Sequence, residues 1–245
     1  GTSGQKSSRH YVKDPELYKN SFINCFERFY GPIEDFTILA LLPSYLERSG
    51  SSLIYMVNHM ISLSGFSESG FFLNNHDELS ELLMRLDQDN RKILLIGVSF
   101  ALLDLVEKRR FELNNTTVME TGGMKGRRKE LVRKELHNNL KSGFGVDQIH
   151  SEYGMTELLS QAYSQGNGLF KTPPWMKVLI RDTEDPLSLM KDRQTGGLNI
   201  IDLANIHSCA FIATQDLGKT YADGSFEVLG RFDHSDIRGC NLMAL

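Results

Sequence analysis

The sequence predicts an α/β fold: a mostly parallel sheet flanked by helices, followed by a smaller antiparallel or barrel-like β subdomain. Two features of the text predict it. Between Asp35 and Gly154, short and nearly continuous apolar runs alternate with longer amphipathic stretches, the pattern of parallel strands covered by helices on both faces. After Gly154 the rhythm changes, and strand-like runs follow one another across turns with no helical stretch between them. The composition allows such a fold, since 245 residues of which 40% are hydrophobic and 24% charged are ample to bury a core.

The elements follow in order. "DFTILALLP" (35–43), "SGFFLN" (69–74), "RKILLIGV" (91–98), "NTTVMETGG" (115–123) and "DQIHSEYG" (147–154) read as strands. "SSLIYMVNHMISLSG" (51–65), "NHDELSELLMRLDQ" (75–88), "SFALLDLVEKRRFEL" (99–113) and "RRKELVRKELHNNL" (127–140) read as the helices between them. Asn75 or His76 ahead of Asp77-Glu78, and Ser99 ahead of its amphipathic run, are helix-start signals. Farther on, "PPWMKVLIRDT", "GGLNIIDLA", "AFIATQDLG" and "YADGSFEVLGR" read as consecutive strands, with "ADGSF" a hairpin turn. The expected division is an α/β nucleotide-binding subdomain over 1–167 and a β-rich one over 168–245.

Charge and cysteine usage exclude some functions. A formal net charge of −4 gives no basic face for a nucleic acid. The basic run from Lys125 to Leu136 is interleaved with Glu130 and Glu135, as on a solvated helix face. Cys25, Cys209 and Cys240 are odd in number and widely spaced, which points to a reducing, cytoplasmic setting. No HExxH and no pair of histidines four apart speak for zinc. No apolar run approaches the ~20 residues that a bilayer requires.

In open α/β sheets, ligands sit beyond the carboxyl ends of the strands, where turns present backbone N–H groups. Two such turns carry unusual residues. Gly122-Gly123-Met124 would let a flat ligand lie on bare backbone, although such a pair also serves as a plain structural turn. Tyr153, Gly154, Thr156 and Glu157 offer an aromatic face, close approach, a hydroxyl and a carboxylate able to hold Mg²⁺; the plain alternative is a core tyrosine followed by a helix start. The opening "GTSGQKSS" is a glycine- and hydroxyl-rich anion loop with Lys6 nearby, without the Walker pattern. Asp216 in "ATQDLGKTY" reads as a strand-end carboxylate able to accept both hydroxyls of a ribose, and "LGRFDHSDIRGC" supplies Arg231, Asp233 and Arg238.

This ordered series (a Thr/Ser/Gly loop, a strand-end Gly-Gly, "YGMTE", an Asp before Leu-Gly, then "GRFDHSDIRG") resembles the adenylate-forming superfamily of acyl-CoA synthetases, luciferase and adenylation domains. Within it, the short tail with Cys240 resembles the LuxE-like acyl-protein synthetases. The resemblance implies ATP-dependent activation of a carboxylic, fatty acid as an acyl-adenylate, with ATP and Mg²⁺ as cofactors. It implies that Thr2 and Ser3 contact phosphates, that Gly122, Gly123 and Met124 line the adenine, and that Tyr153, beside Gly154, stacks on it. Thr156 would then touch the α-phosphate, Glu157 would hold Mg²⁺, Asp216 would bind the ribose, and Arg231 would lie near ribose and phosphate. Cys240 would accept the acyl group as a thioester and pass it to an acyl reductase or carrier partner. Its plain alternative is a small buried hydrophobe. By the resemblance, Gly1-Thr2-Ser3-Gly4 enters the phosphate loop at its second letter, which implies an N-terminally truncated fragment, and the short tail implies a protein without the lysine-bearing C-terminal domain of most relatives. Two other readings stay open: ligation of the acid to coenzyme A or a carrier thiol, and a non-catalytic nucleotide-binding scaffold.

Overall fold

The computed structural model describes residues 9–43, 50–73, 75–122 and 132–231. It begins with a helix that the alternation from Phe36 onward does not reveal, α1 (Pro15–Tyr30). Asp14 caps it by accepting the Glu16 N–H at 2.9 Å, Pro15 occupies the first turn, and Gly31 ends it. The α/β part then runs β1 (Thr37–Leu41), α2 (Ser52–Ser64), β2 (Gly70–Phe72), α3 (His76–Gln88), β3 (Ile93–Gly97), α4 (Ser99–Lys108), β4 (Thr116–Thr121), α5 (Arg133–Phe144), β5 (His150–Tyr153) and β6 (Ala162–Ser164).

These strands form one sheet in the order β2-β1-β3-β4-β5-β6, parallel through β5 and closed by an antiparallel β6. Every residue of β1 and β3 is buried, which is why both read as unbroken apolar runs. Right-handed crossovers put α2 on one face of the sheet and α3, α4 and α5 on the other. α1 joins α2 through Tyr18 stacked on Tyr55 (5.8 Å) and Phe22 edge-on to His59 (5.7 Å). On the opposite face α5 lies so close to α4 that a Cβ on Gly143 would collide with Val106.

Helix α5 runs on to Phe144, past the expected end at Leu140, and α4 differs from expectation at both ends. The helix expected over 99–113 ends at Lys108, because Phe111 and Leu113 turn to pair their N–H groups with the carbonyls of Gly143 and Phe144 and enter the core. Ser99, expected as its cap, instead donates its hydroxyl to Glu120.

The second sheet is built from β7 (Leu169–Phe170), β8 (Met176–Arg181), β9 (Gly196–Asp202), β10 (Phe211–Thr220) and β11 (Phe226–Arg231). Its order is β7-β11-β10-β9-β8, antiparallel throughout. The expected "ADGSF" hairpin joins β10 to β11, with the Tyr221 N–H on the Ser225 carbonyl and Thr220 opposite Phe226. The α/β sheet with helices on its faces, followed by an antiparallel β part, is the predicted fold.

The strand order reverses between β1 and β3, where open α/β sheets ordinarily bind ligands. At the end of β3 the following helix packs tightly, since a Cβ on Gly97 would lie 2.8 Å from Leu102. The candidate residues gather instead at the carboxyl ends of β4 and β5, where the second sheet abuts the first. The seam is the ring of Tyr153. It ends β5 but packs edge-on against Phe170 (5.9 Å) and Phe226 (5.7 Å) in the apolar core of the second sheet.

Candidate active site

Three of the predicted residues meet at this seam. The Tyr153 hydroxyl donates to Asp216 Oδ2 at 2.7 Å, and Arg231 Nε lies 3.4 Å from Asp216 Oδ1. Arg231 also donates to the Gln215 side chain at 3.3 Å. Tyr153 is buried, as its plain reading expected, with only 8% of its surface exposed. Burial, and then the neighbouring Asp216 charge, push its hydroxyl well above the usual phenol range, so it remains a proton donor to the carboxylate. A carboxylate offers about four acceptor positions. The bonds from Tyr153 and Arg231 thus orient Asp216 while leaving lone pairs to accept from a ligand.

Asp216 is not at a strand end as its "QDLG" context implied. It lies within β10, where the pairing slips on both sides: Ala213 faces Asn199 but Leu217 faces Gly197, and Leu217 faces Gly230 but Gly218 faces Val228. Such irregularities re-aim side chains that a regular ladder would fix. Arg181, nearly buried, holds the distortion open by donating to the carbonyls of Leu198 and Thr214 and to the Asn199 side chain. Thr214 Oγ1 in turn accepts the Asp216 N–H at 3.1 Å. Sequence reading passes over Arg181; its one local signal is Gly196-Gly197, since a side chain on Gly197 would strike the guanidinium.

Gly122 emerges beside Tyr153, because Thr121 pairs with Glu152 across the parallel β4–β5 ladder. Its φ of +24° is a backbone conformation that L side chains rarely adopt, and among the described residues a Cβ there would meet nothing within 4 Å, so those residues leave this strand end open. Gly154 is exposed and caps a buried carboxyl, since a Cβ on it would collide with Glu152 Oε1. Thr156 and Glu157 follow in a half-buried turn, closed by the Leu158 N–H on the Met155 carbonyl at 3.1 Å, and not in the helix start of the plain reading. Thr2, Ser3, Gly123, Met124 and Cys240 lie outside the described residues, as do Lys6, Asp233 and Arg238. Surface cavities of about 270 Å³ at Gln148, Gln165 and Asn167 and about 610 Å³ at Asp87, Arg110 and Ser142 border none of Tyr153, Asp216 or Arg231.

Two buried carboxylates support this edge from opposite faces of the sheet. Glu120, on β4, is desolvated, yet its carboxyl is held below the usual range because His137, Arg133 and Ser151 outweigh the cost of burial. Arg133 Nη1 reaches Glu120 Oε1 at 2.6 Å, while its guanidinium carbon lies 5.1 Å from the centre of the Phe170 ring and so ties the second sheet to the first. Glu120→Ala is expected to cost about 3 kcal/mol, the low end for a broken buried pair because Arg133 reaches water. Differential scanning calorimetry should show this as a fall of roughly 6–12 °C in Tm.

Glu152 behaves in the opposite way. Burial, opposed by the Thr121 hydroxyl donated at 2.7 Å and reinforced by the Glu120 charge, pushes its pKa from 4.5 up to about 7. The folded protein therefore holds a proton that the unfolded chain releases, and the stability this gives is complete below pH 4.5 and lost as pH rises through 7. Glu152→Gln is expected to remove that dependence and to gain on the order of 3 kcal/mol over wild type at pH 8. Thermal melts of the two proteins from pH 4.5 to 8 check it, and parallel profiles would refute it.

The family model described as "Acyl-protein synthetase, LuxE" matches residues 68–244. The chain belongs to that family. Comparison with curated protein sequences gives no match. Among solved structures, this LuxE-family chain is similar to ATP-bound MatB from Rhodopseudomonas palustris, at a TM-score of 0.70 and 16% identity over 94% of this chain and 46% of that one. It is also similar to McyG A-PCP complexed with phenylalanyl-adenylate (TM-score 0.64, 16% identity, 94% and 45% coverage). A benzoate CoA ligase from Burkholderia xenovorans LB400 matches at a TM-score of 0.56 and 15% identity, with 91% and 46% coverage. At such identities the likeness is one of fold, and it is the fold expected of the adenylate-forming superfamily. The LuxE-family chain spans a little under half the length of these structures. Among the described residues no helix is long and apolar enough to cross a membrane.

Proposed function

We propose that this protein activates a carboxylic acid, a fatty acid, by joining it to AMP, and then transfers the acyl group to a thiol. The observation that carries the reading is the Asp216 carboxylate, fixed by the Tyr153 hydroxyl and Arg231 beside the open strand end at Gly122. A free carboxylate resists nucleophiles because it is anionic and resonance-stabilised. ATP is the co-substrate that supplies a leaving group: a carboxylate oxygen attacks the α-phosphorus, the bond to the β-phosphate oxygen breaks, and pyrophosphate departs.

Among the described residues, the Asp216 carboxylate with Arg231 beside it and the half-buried Glu157 support a seat for these groups. In the proposal Asp216 accepts the ribose hydroxyls, Arg231 lies near ribose and phosphate, and adenine lies over Gly122, Gly123 and Met124. Tyr153, beside Gly154, is the ring proposed to meet the adenine. Thr2, Ser3 and Thr156 donate to phosphate oxygens, Thr156 to the α-phosphate. Mg²⁺, when bound, neutralises phosphate charge; Glu157 is the carboxylate that would hold it, and one carboxylate plus substrate phosphates is an ordinary magnesium site. The proposed division of labour is an α/β nucleotide-binding subdomain over 1–167 and a β-rich one over 168–245. A cytoplasmic setting is part of the proposal, supported by the unbridged thiols of Cys25 and Cys209.

The test is acid-dependent exchange of labelled pyrophosphate into ATP by the full-length protein, across acids of different chain length and ring content. Exchange that peaks with a fatty acid is expected. Its absence with every acid would leave the non-catalytic scaffold as the better reading.

A further inference from the structure

The turn that carries Thr156 and Glu157 has no ladder of its own. From Gly154 to Gln161 the chain crosses from β5 to β6 without regular secondary structure, yet Leu158, Leu159, Ser160 and Gln161 are buried. Backbone N–H groups in such a place need acceptors, because water is excluded. One carboxylate supplies them. Asp202, at the end of β9 and fully buried, accepts the Leu159 N–H at 2.8 Å and the Ser160 N–H at 3.0 Å on Oδ2. Its Oδ1 accepts the Ser160 hydroxyl and, at 3.1 Å, the Ala204 N–H.

Three residues on, Asn205, also fully buried, donates its side-chain amide to the Glu157 carbonyl at 2.6 Å. Asn205 Oδ1 is in turn 2.9 Å from His10 Nε2. Ser160 carries the connection outward. Its hydroxyl accepts from Trp175 Nε1 at 3.0 Å, and Trp175 also reaches Ser21 on α1 at 3.1 Å. The stretch "DLAN" (202–205) therefore grips the backbone of the turn at Glu157, Leu159 and Ser160, while touching neither the Thr156 nor the Glu157 side chain in any of these bonds.

From this geometry we infer that Asp202 and Asn205 are positioning residues for the metal- and phosphate-binding turn, setting where Glu157 stands relative to bound nucleotide. The inference rests on the proposed role of Glu157. Burying a carboxylate is costly, and four convergent donors are the arrangement that makes it tolerable while admitting one geometry of the loop. A side chain that holds a magnesium ligand within a few tenths of an ångström needs such support from residues that do not themselves touch the metal. Trp175, the single tryptophan of the chain, hydrogen-bonds to the same Ser160 hydroxyl and so reports on this node.

The test uses the full-length protein, with Asn205→Ala, which removes the hold on the Glu157 carbonyl, and Ser160→Ala, which loosens the Asp202 grip. Magnesium is titrated at fixed ATP with Trp175 fluorescence as the readout, and separately in the pyrophosphate exchange assay. Each variant removes one hydrogen bond between the "DLAN" stretch and the turn, with Ser160→Ala also freeing Trp175 and Ser21 from their contact to it, and the half-saturating Mg²⁺ is expected to rise about three- to tenfold. The KM for ATP at saturating Mg²⁺ is expected to stay within about twofold of wild type, which a general loosening of the fold would not produce. An unshifted magnesium curve in folded variants, or a wild-type Trp175 signal that does not respond to magnesium and ATP, overturns the inference. The fluorescence arm needs no turnover, so a protein without exchange activity would contradict the proposed function while the positioning role is still decided by the Trp175 curves.

Discussion

Replacing Asp216 with alanine is expected to lower the affinity of the full-length protein for ATP by at least about 100-fold, measured by isothermal titration calorimetry, and to abolish acid-dependent exchange at ordinary ATP concentrations. Asp216 is the acceptor on which the proposed nucleotide seat converges, with Tyr153 at 2.7 Å and Arg231 at 3.4 Å. In the proposed complex its removal deletes two charge-assisted bonds to the ribose, each about 1.5–3 kcal/mol. It also strands the Tyr153 hydroxyl in a nearly buried position and frees Arg231 to turn away. Asp216→Asn separates these effects. An amide still fills the space and its oxygen still accepts from Tyr153, but it lacks the charge, so its affinity should fall between those of alanine and wild type. Equal affinities for Asp216→Ala and wild type would remove the ribose from this carboxylate.

Cys240→Ser is expected to abolish covalent acyl labelling while leaving the exchange reaction intact. In the proposed second half-reaction the thiol first loses its proton. The thiolate sulfur then attacks the acyl carbonyl carbon, the bond to the adenylate oxygen breaks, and AMP leaves with the electron pair. A serine hydroxyl is rarely ionised near neutral pH and cannot replace the thiolate. Incubation with ATP, Mg²⁺ and labelled acid should leave hydroxylamine-sensitive label on wild type and none on the variant. Full labelling of Cys240→Ser would place the acceptor elsewhere and favour ligation to coenzyme A or a carrier thiol.

Strands β1 and β3 were legible because every one of their residues is buried, so the apolar runs carry no interruptions to misread. The hairpin at Tyr221–Phe226 was legible because Asp223-Gly224 dictates a turn locally. Helix α1 was missed although it was legible: its buried residues Tyr18, Ser21, Phe22, Cys25 and Phe26 recur at helical spacing and Asp14-Pro15-Glu16 is a start signal, but both stand ahead of the strand–helix alternation that begins at Phe36. At the site, the residue types of Tyr153, Asp216 and Arg231 were readable, but the irregular pairing that aims Asp216 was not. It depends on Arg181, 35 positions earlier, and on the pairing offset with β9. Asp202 was hidden for the same reason: its partners Leu159 and Ser160 lie 43 and 42 positions away, and no local pattern marks an aspartate that serves a distant backbone. The opposed behaviour of Glu120 and Glu152, two carboxylates on neighbouring strands, likewise arises from burial and partners that only the folded chain brings together.

The central claim is that Gly122, Tyr153, Asp216 and Arg231 form one seat for AMP beside an activated acid. A crystal structure of the full-length protein with a non-hydrolysable acyl-adenylate mimic, a fatty acyl sulfamoyl adenosine, tests this most directly. The account predicts both ribose hydroxyls within hydrogen-bonding distance of the Asp216 carboxylate, and the adenine over Gly122 at the edge of Tyr153. A mimic bound at another surface, with Asp216 touching only Tyr153 and Arg231, would contradict it.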